Sequence, residues 1–504
     1  MRDPTSIEAL EARLRASPDD WRSWLVYADW LLDHGDVRGQ LIGLKRRCEV
    51  DQLHAVERME ILDRMNALWD QHQPDWLQGL VLPRSTRLRW RHGFLVGVSF
   101  FWPGGGVIEA LQALAVHPVG RLLSEIEVER LPPTEIPEPL LDAIAALPPR
   151  SLSLGFFPLD VAVVEQLVGS PAVDRLTALK LDGLGPGGLE ALLWRGQGLL
   201  EGLTELDLSH SPLGPSGAEL LADAPARGLR SLSRLRLRRT AIGCEGARRL
   251  SRSGALAGLT ALDLSDNLLG EEGAREIAEA SALSDLSELS LYGNDIGDEG
   301  LAALSRSDTL RGLETLDVGF NGIGPQGSAA LAAAEGLRGL TELRLHGNQL
   351  GDGGISTLAA SGLLSSLERL RLSDNYLSCE GAIALARRAP PSSLRVLELC
   401  RNHLRDRGAI ALAGAPILQD LEHLDLRQNH VGAEGARALV SAIPSLMVWA
   451  LEDNDLKGPD LEELRELQRS SAPEPRPLPR DEPEGSLARL LRGVLRWIPS
   501  FGRT

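Results

Sequence analysis

Little in this chain points to chemistry. Aromatic residues make up only 4% of its 504 residues and cysteine occurs four times. No apolar run reaches the roughly 18 residues that a membrane-spanning helix needs. The cysteines (Cys48, Cys244, Cys379, Cys400) lack the paired spacings of a zinc site or a disulfide framework, so a reducing compartment is expected, with no metal and no cofactor. Basic residues are outnumbered 53 to 70, and a net charge of −17 argues against nucleic acid, whose phosphates call for a basic surface. The first residues carry acids and no apolar core segment, so no secretory leader is expected; a soluble cytoplasmic protein is. H-E-x-x-H, a Walker loop and G-x-S-x-G are all missing and the ten histidines are scattered, so no enzyme is expected.

What the chain does have is one sentence written seven times. Leu259-Leu262-Leu264-Asn267-Leu269-Gly273 recurs from Leu286, Leu313, Leu340, Leu367, Leu394 and Leu421, each 27 residues after the last. The alternation over Leu262-x-Leu264 predicts a short strand with one buried face, and the A-x-x-L-A segment after the glycine predicts a helix. A unit this small cannot cover its own leucines and must stack on copies of itself. This pattern resembles leucine-rich repeats of the longer, ribonuclease-inhibitor type. The resemblance implies an α/β solenoid shaped as a horseshoe, with a parallel sheet on the concave side and helices outside. Weaker units extend it: Leu203 and Leu232 carry Ser211 and Thr240 at the Asn position, and Leu446-Trp449-Leu451-Asn454 closes it.

Residues 1–85 differ in composition, holding Trp21, Trp24, Trp30, Trp69 and Trp76. Ser17-Pro18-Asp19-Asp20 predicts a helix start with Ser17 as the cap, Asp36 a second and the stretch 53–71 a third, which makes a small helical domain. Tyr27-Ala28-Asp29-Trp30-Leu31 and Gly35-Asp36-x-Arg38-Gly39 resemble the repeat-companion domain at the N-terminus of many bacterial repeat proteins, departing at Gln40 and Leu41. No chemistry comes with that resemblance; Asp36 and Arg38 are expected to cap and pair locally. Residues 86–175 form a transitional region. It holds a hairpin candidate around Arg91-His92-Gly93 and two degenerate strands, at Ile126-x-Val128 and Leu152-x-Leu154, that cover the open apolar edge of the solenoid at 176–470.

A Pro-rich linker follows at 471–485, and extended at about 3.1 Å per residue it could reach roughly 45 Å. Residues 486–504 then form a basic amphipathic helix. Leu487, Leu490, Leu491, Val494, Leu495 and Ile498 lie on one face, with Arg489, Arg492 and Arg496 opposite and Trp497 flanking. With Arg503 these arginines leave −21 on the rest of the chain. Such a helix suits a membrane surface, a partner's groove or the solenoid itself. Co-sedimentation with liposomes separates the first from the others: full-length protein pellets and a 1–470 truncation does not.

The Asn ladder (Asn267, Asn294, Asn321, Asn348, Asn375, Asn402, Asn429, Asn454) is expected to be structural, because an amide can both donate to and accept from backbone groups of adjoining units. On the concave face, alternating charges at the position between the second and third leucines, from Asp207 and Arg236 through Asp425, are expected to neutralise one another. Two features stand out from that background. Arg236 and Arg238 belong to a run of arginines, and Tyr292, Phe320 and His346 end three successive strands beside Arg344, Arg371 and Arg401. Exposed aromatics with arginine are common interface anchors. The expected function is a non-enzymatic scaffold, monomeric, that binds a protein partner on this face. The alternatives are a GTPase regulator, since GTPase-activating proteins for Ran are built from such repeats, and a membrane-surface adaptor using the tail.

Overall fold

A computed structural model describes residues 4–50, 55–102, 105–131, 136–147, 149–225, 228–388, 393–418, 421–442 and 451–471. The linker from residue 472, the basic tail and Leu446 and Trp449 of the closing unit lie outside the described residues.

Fourteen strands among the described residues form one sheet, and their order in space is their order in the chain. The first two, Arg87–Arg91 and Phe94–Phe101, are an antiparallel hairpin; from there every pairing is parallel. The hairpin begins the same sheet that the repeats continue. Register advances by one repeat per strand, so that Leu289, Leu316, Leu343 and Leu370 lie side by side. Each repeat strand is short, as in Glu342–Arg344, and hands over to an outer helix such as Gly351–Ala359. Leu340, Leu343, Leu345 and Leu350 of that unit are fully buried, as are Ile355 and Leu358 on its helix. Each such side chain contributes about 1.5–3 kcal/mol when fully buried. Neighbouring units complete that burial, and one apolar core runs from Leu95 to Leu464.

The outer helices are capped across repeats. Asp298 Oδ1 accepts the N–H groups of Gly324 and Gly327, both at 2.7 Å. Asp352 does the same for Ser378 and Gly381, and Asp406 for Gly432 and Gly435. Three alternate units thus supply a carboxylate to the positive end of the next unit's helix, where the backbone donors have no partner of their own. Asp352→Ala should cost about 1 kcal/mol, the usual worth of a cap. Urea unfolding reads this directly, and an unmoved midpoint would show that the helix Cys379–Arg388 does not depend on its neighbour.

At the N-terminal end four helices, Pro4–Ala16, Trp21–Asp33, Arg38–Val50 and Ala55–Trp76, precede the hairpin. Ser17 was the expected cap of the second, but Asp20 takes that place. Its carboxylate accepts from the N–H groups of Arg22 (3.1 Å) and Ser23 (3.4 Å) and from the Ser23 hydroxyl (2.5 Å). A charged acceptor adjoining the first turn is favoured over a hydroxyl three residues earlier. Trp24, Tyr27, Leu31 and Ile42 share a core with Phe94 and Leu122, so the helices pack directly on the first sheet rungs. Tyr27 donates to Glu11 at 2.5 Å, and Arg38 pairs with Asp36 while lying 4.4 Å over the Phe94 ring. Burial opposes the charge on Asp36, but bonds from the Arg38 side chain and backbone outweigh it and hold the carboxyl below its usual range.

His92, at the hairpin turn, sits between Trp21 (4.9 Å) and Trp24 (4.7 Å) with Nε2 unpartnered among the described residues. Burial, with Arg91 and Lys45 adding repulsion, pushes its pKa down to about 3. The unfolded chain therefore takes up this proton first, near pH 6.5. The stability linked to neutral His92 is complete above that pH and is lost progressively as pH falls toward 3. Between pH 7 and pH 5 the thermal midpoint of wild type should fall further than that of His92→Asn, which cannot titrate. Parallel curves would remove His92 as the cause.

Candidate functional site

The concave sheet presents its side chains in columns, because neighbouring strands are in register. The middle column reads Asp207, Arg236, Asp263, Ser290, Asp317, Arg344, Arg371, Glu398 and Asp425. Side chains one rung apart can interact, and most of these do. Arg344 reaches Asp317 at 3.4 Å and Glu342 at 2.6 Å, Arg371 reaches Glu398 at 3.5 Å, and Arg427 reaches Asp425 at 2.6 Å. Arg236 bonds Glu205 and lies 4.0 Å from Asp207. Arg238 and Arg239 both hold Asp266, at 2.9 Å and 3.2 Å.

Tyr292, Phe320 and His346 come together as one cluster, with ring centroids 5.3–5.6 Å apart. Alternation with glycine makes this possible. A Cβ on Gly319 would meet the His346 ring at 2.6 Å, and one on Gly347 would meet the Phe320 ring at 2.6 Å. The His346 ring thus lies over bare backbone of the preceding unit, and the Phe320 ring over that of the following one. Arg238 adds a guanidinium 5.4 Å from the Tyr292 ring centre. Phe320 is 45% exposed and has φ 53°, a left-handed conformation that costs a bulky residue about 1–2 kcal/mol. The flanking units place Gly293 and Gly347 at the same position, also with positive φ.

Beside the cluster the sheet holds an open basin of about 530 Å³. Arg234, Arg236 and Arg238 wall one side, with Arg344, Arg371 and His346 opposite. Its floor is made of small or acidic side chains, among them Ala261, Asp263, Ser265, Ser290, Thr315 and Asp317. Burial keeps His346 below its usual pKa despite Asp317 nearby, so the ring is neutral at pH 7. Burial, with Asp266 beside it, raises Tyr292. Burial also raises the Cys400 thiol, the opposite of what a reactive thiolate needs.

Six of the candidate residues therefore share one basin: Arg236, Arg238, Tyr292, Arg344, His346 and Arg371. Phe320 touches its two aromatic members from the rim. Arg401 does not join them; it bonds Gln428 at 3.0 Å, three rungs beyond Phe320.

Eight stretches match a family model described as Leucine Rich repeat: residues 203–222, 259–278, 282–305, 311–332, 338–359, 364–386, 391–413 and 418–440. These stretches are leucine-rich repeats. No curated protein matches the chain. Among solved structures it is similar to an internalin (inlF) from Listeria monocytogenes, at 18% identity over 77% of this chain and 93% of that one, with a TM-score of 0.37. It is also similar to a chain in the Rad7 and Elc1 complex from yeast, at 14% identity over 76% and 95%, with a TM-score of 0.36.

In the seven units from Leu259 onward the strand turns at the ladder Asn. Asn348, 1% exposed, donates from Nδ2 to Val318 and Leu345 carbonyls (3.0 and 2.9 Å), while its Oδ1 accepts the N–H groups of Asn321 and Ile323 (both 3.0 Å). Asn267, Asn294, Asn321, Asn375, Asn402 and Asn429 are buried in the same way. Sequence reasoning did not find the basin. Its signal was present in the small residues Ala261, Ser265 and Ser290, which stand where other units carry long side chains.

Proposed function

We propose that this protein is a non-catalytic interaction scaffold that binds a protein partner on the concave face, anchored at Tyr292, Phe320 and His346. The carrying observation is Phe320: a half-exposed aromatic held on left-handed backbone where both flanking repeats have glycine. A large apolar ring kept at a strained, exposed position is of use to something that packs on it. Arg344 and Arg371, with Arg236 and Arg238 across the basin, supply hydrogen-bond donors around it. On the same reading the units are of the ribonuclease-inhibitor type, which their 27-residue spacing and full outer helices support. The helices of residues 1–85 act as a companion module that closes the first edge of the sheet. The test is affinity capture with wild type and a Tyr292→Ala, Phe320→Ala, Arg344→Ala triple variant. A protein retained by the first and lost by the second supports the reading, and equal capture by the two overturns it.

A further inference from the structure

The basin contains one charge that the fold leaves uncompensated. Of the middle-column acids, Asp317 has Arg344 at 3.4 Å, Glu398 has Arg371 at 3.5 Å, Asp425 has Arg427 at 2.6 Å, and Asp207 has Arg236 at 4.0 Å. Asp263 has no basic partner among the described residues. Arg236, its register neighbour, is drawn the other way, toward Glu205 and Asp207. Asp263 Oδ1 accepts the Ser265 N–H at 2.9 Å and the Ser265 hydroxyl, while Oδ2 meets no donor among the described residues. Ser265 and Ser290 hydroxyls lie 2.9 Å apart beside it, and Tyr292 stands in the same lining.

The five arginines around the rim each face a carboxylate of the fold; Arg371 alone makes no hydrogen bond among the described residues, its buried Nε lying 3.5 Å from Glu398. Arg234 is held by Glu288 and Glu205, Arg238 by Asp266, and the others as above. Asp263 is the carboxylate of the basin that no cation among the described residues reaches, and it is flanked by two hydroxyls and an aromatic ring. A guanidinium or ammonium matches that set: it pairs with the carboxylate, and its stem can lie along the ring. The remainder of the chain, at −21 outside the tail, steers positively charged partners toward the surface.

We propose that the concave basin receives a lysine or arginine side chain of the bound partner, with Asp263 as its counter-ion and the residue that sets this specificity. The proposal rests on the concave-face reading above, and the experiment separates the two. A displayed library of random linear peptides is selected in parallel on wild type, on Asp263→Asn, on Asp263→Lys and on the Tyr292/Phe320/Arg344 triple Ala variant. Asn keeps the Oδ1 acceptor for Ser265, and thermal midpoints check that each variant is folded. Wild type should enrich peptides carrying a basic residue near an apolar or aromatic one. Asp263→Asn should lower the frequency of Lys and Arg at that position about tenfold, the loss of one charge-assisted bond. Asp263→Lys should turn the preference toward Asp and Glu. Enrichment on wild type with no basic preference, or with one that survives Asp263→Asn, overturns the assignment of Asp263 and leaves the concave reading standing. Enrichment on wild type no greater than on the triple variant removes both.

Discussion

Replacing Asn348 with alanine lowers the stability of the whole solenoid by about 1–3 kcal/mol, the cost of leaving buried backbone groups unpaired. The side chain serves four such groups at once, two carbonyls and two N–H groups drawn from two successive repeats. At 1% exposure no bulk water reaches them in the folded state. In the unfolded chain all four are hydrated, so the loss falls entirely on the folded side. A water entering the vacated space would recover some of the bonds, which accounts for the lower end of the range.

The same substitution at the far end should matter less. Asn454 makes the same bonds, to the N–H groups of Asn429 (2.8 Å) and Val431 (3.0 Å) and to the carbonyls of Leu426 and Leu451, but it is only partly buried. Water can replace its amide, and Asn454→Ala should cost under about 1 kcal/mol. Urea unfolding of the two variants measures the difference. Equal midpoints would mean that burial, and not the bond count, has been misjudged as the source of the ladder's strength.

How much of this could be read from the sequence depended on whether a feature is local and repeated. The leucine spacing specified a strand and a helix per unit, and 27-residue recurrence specified their stacking, because the same contact is made each time. Ser211 and Thr240 were legible as weaker forms of the ladder residue. Ser211 Oγ donates to the Leu181 carbonyl at 3.2 Å and accepts the Leu184 N–H at 3.0 Å, so a hydroxyl covers fewer groups than an amide. The hairpin was legible from its turn, but not its place as the first rung, which depends on Gly97 and its neighbours pairing with Glu125 and beyond, a whole unit away. Charge pairing was legible only as an average. That Arg236 turns toward Glu205 and abandons Asp263 depends on three side chains on three strands, and nothing in the spacing encodes the choice. Alternation of Asp caps at Asp298, Asp352 and Asp406 was in plain view at two-unit intervals, yet its meaning needs the neighbouring helix to be present.

Phe320→Gly and Phe320→Ala should lose partner binding alike but separate in stability. As an interface anchor the ring is worth about 2 kcal/mol, some thirtyfold in affinity, and both variants remove it. Both also forfeit its contacts with Tyr292 and His346, at 5.3 and 5.5 Å between centroids. Only glycine relieves the backbone, because at φ 53° an alanine Cβ still crowds its carbonyl by about 1–2 kcal/mol while glycine does not. The glycine variant should therefore unfold at or above the midpoint of the alanine variant, although glycine elsewhere in this sheet would weaken it. Titration with the captured partner and thermal unfolding of the same two proteins decide the matter. A glycine variant less stable than alanine would show that the left-handed turn carries no strain, and unchanged affinity in both would show that the ring serves the fold alone. If binding falls while stability is kept, then the aromatic ring between the glycine turns of its two neighbouring units is retained at a cost to folding for what it does in the complex.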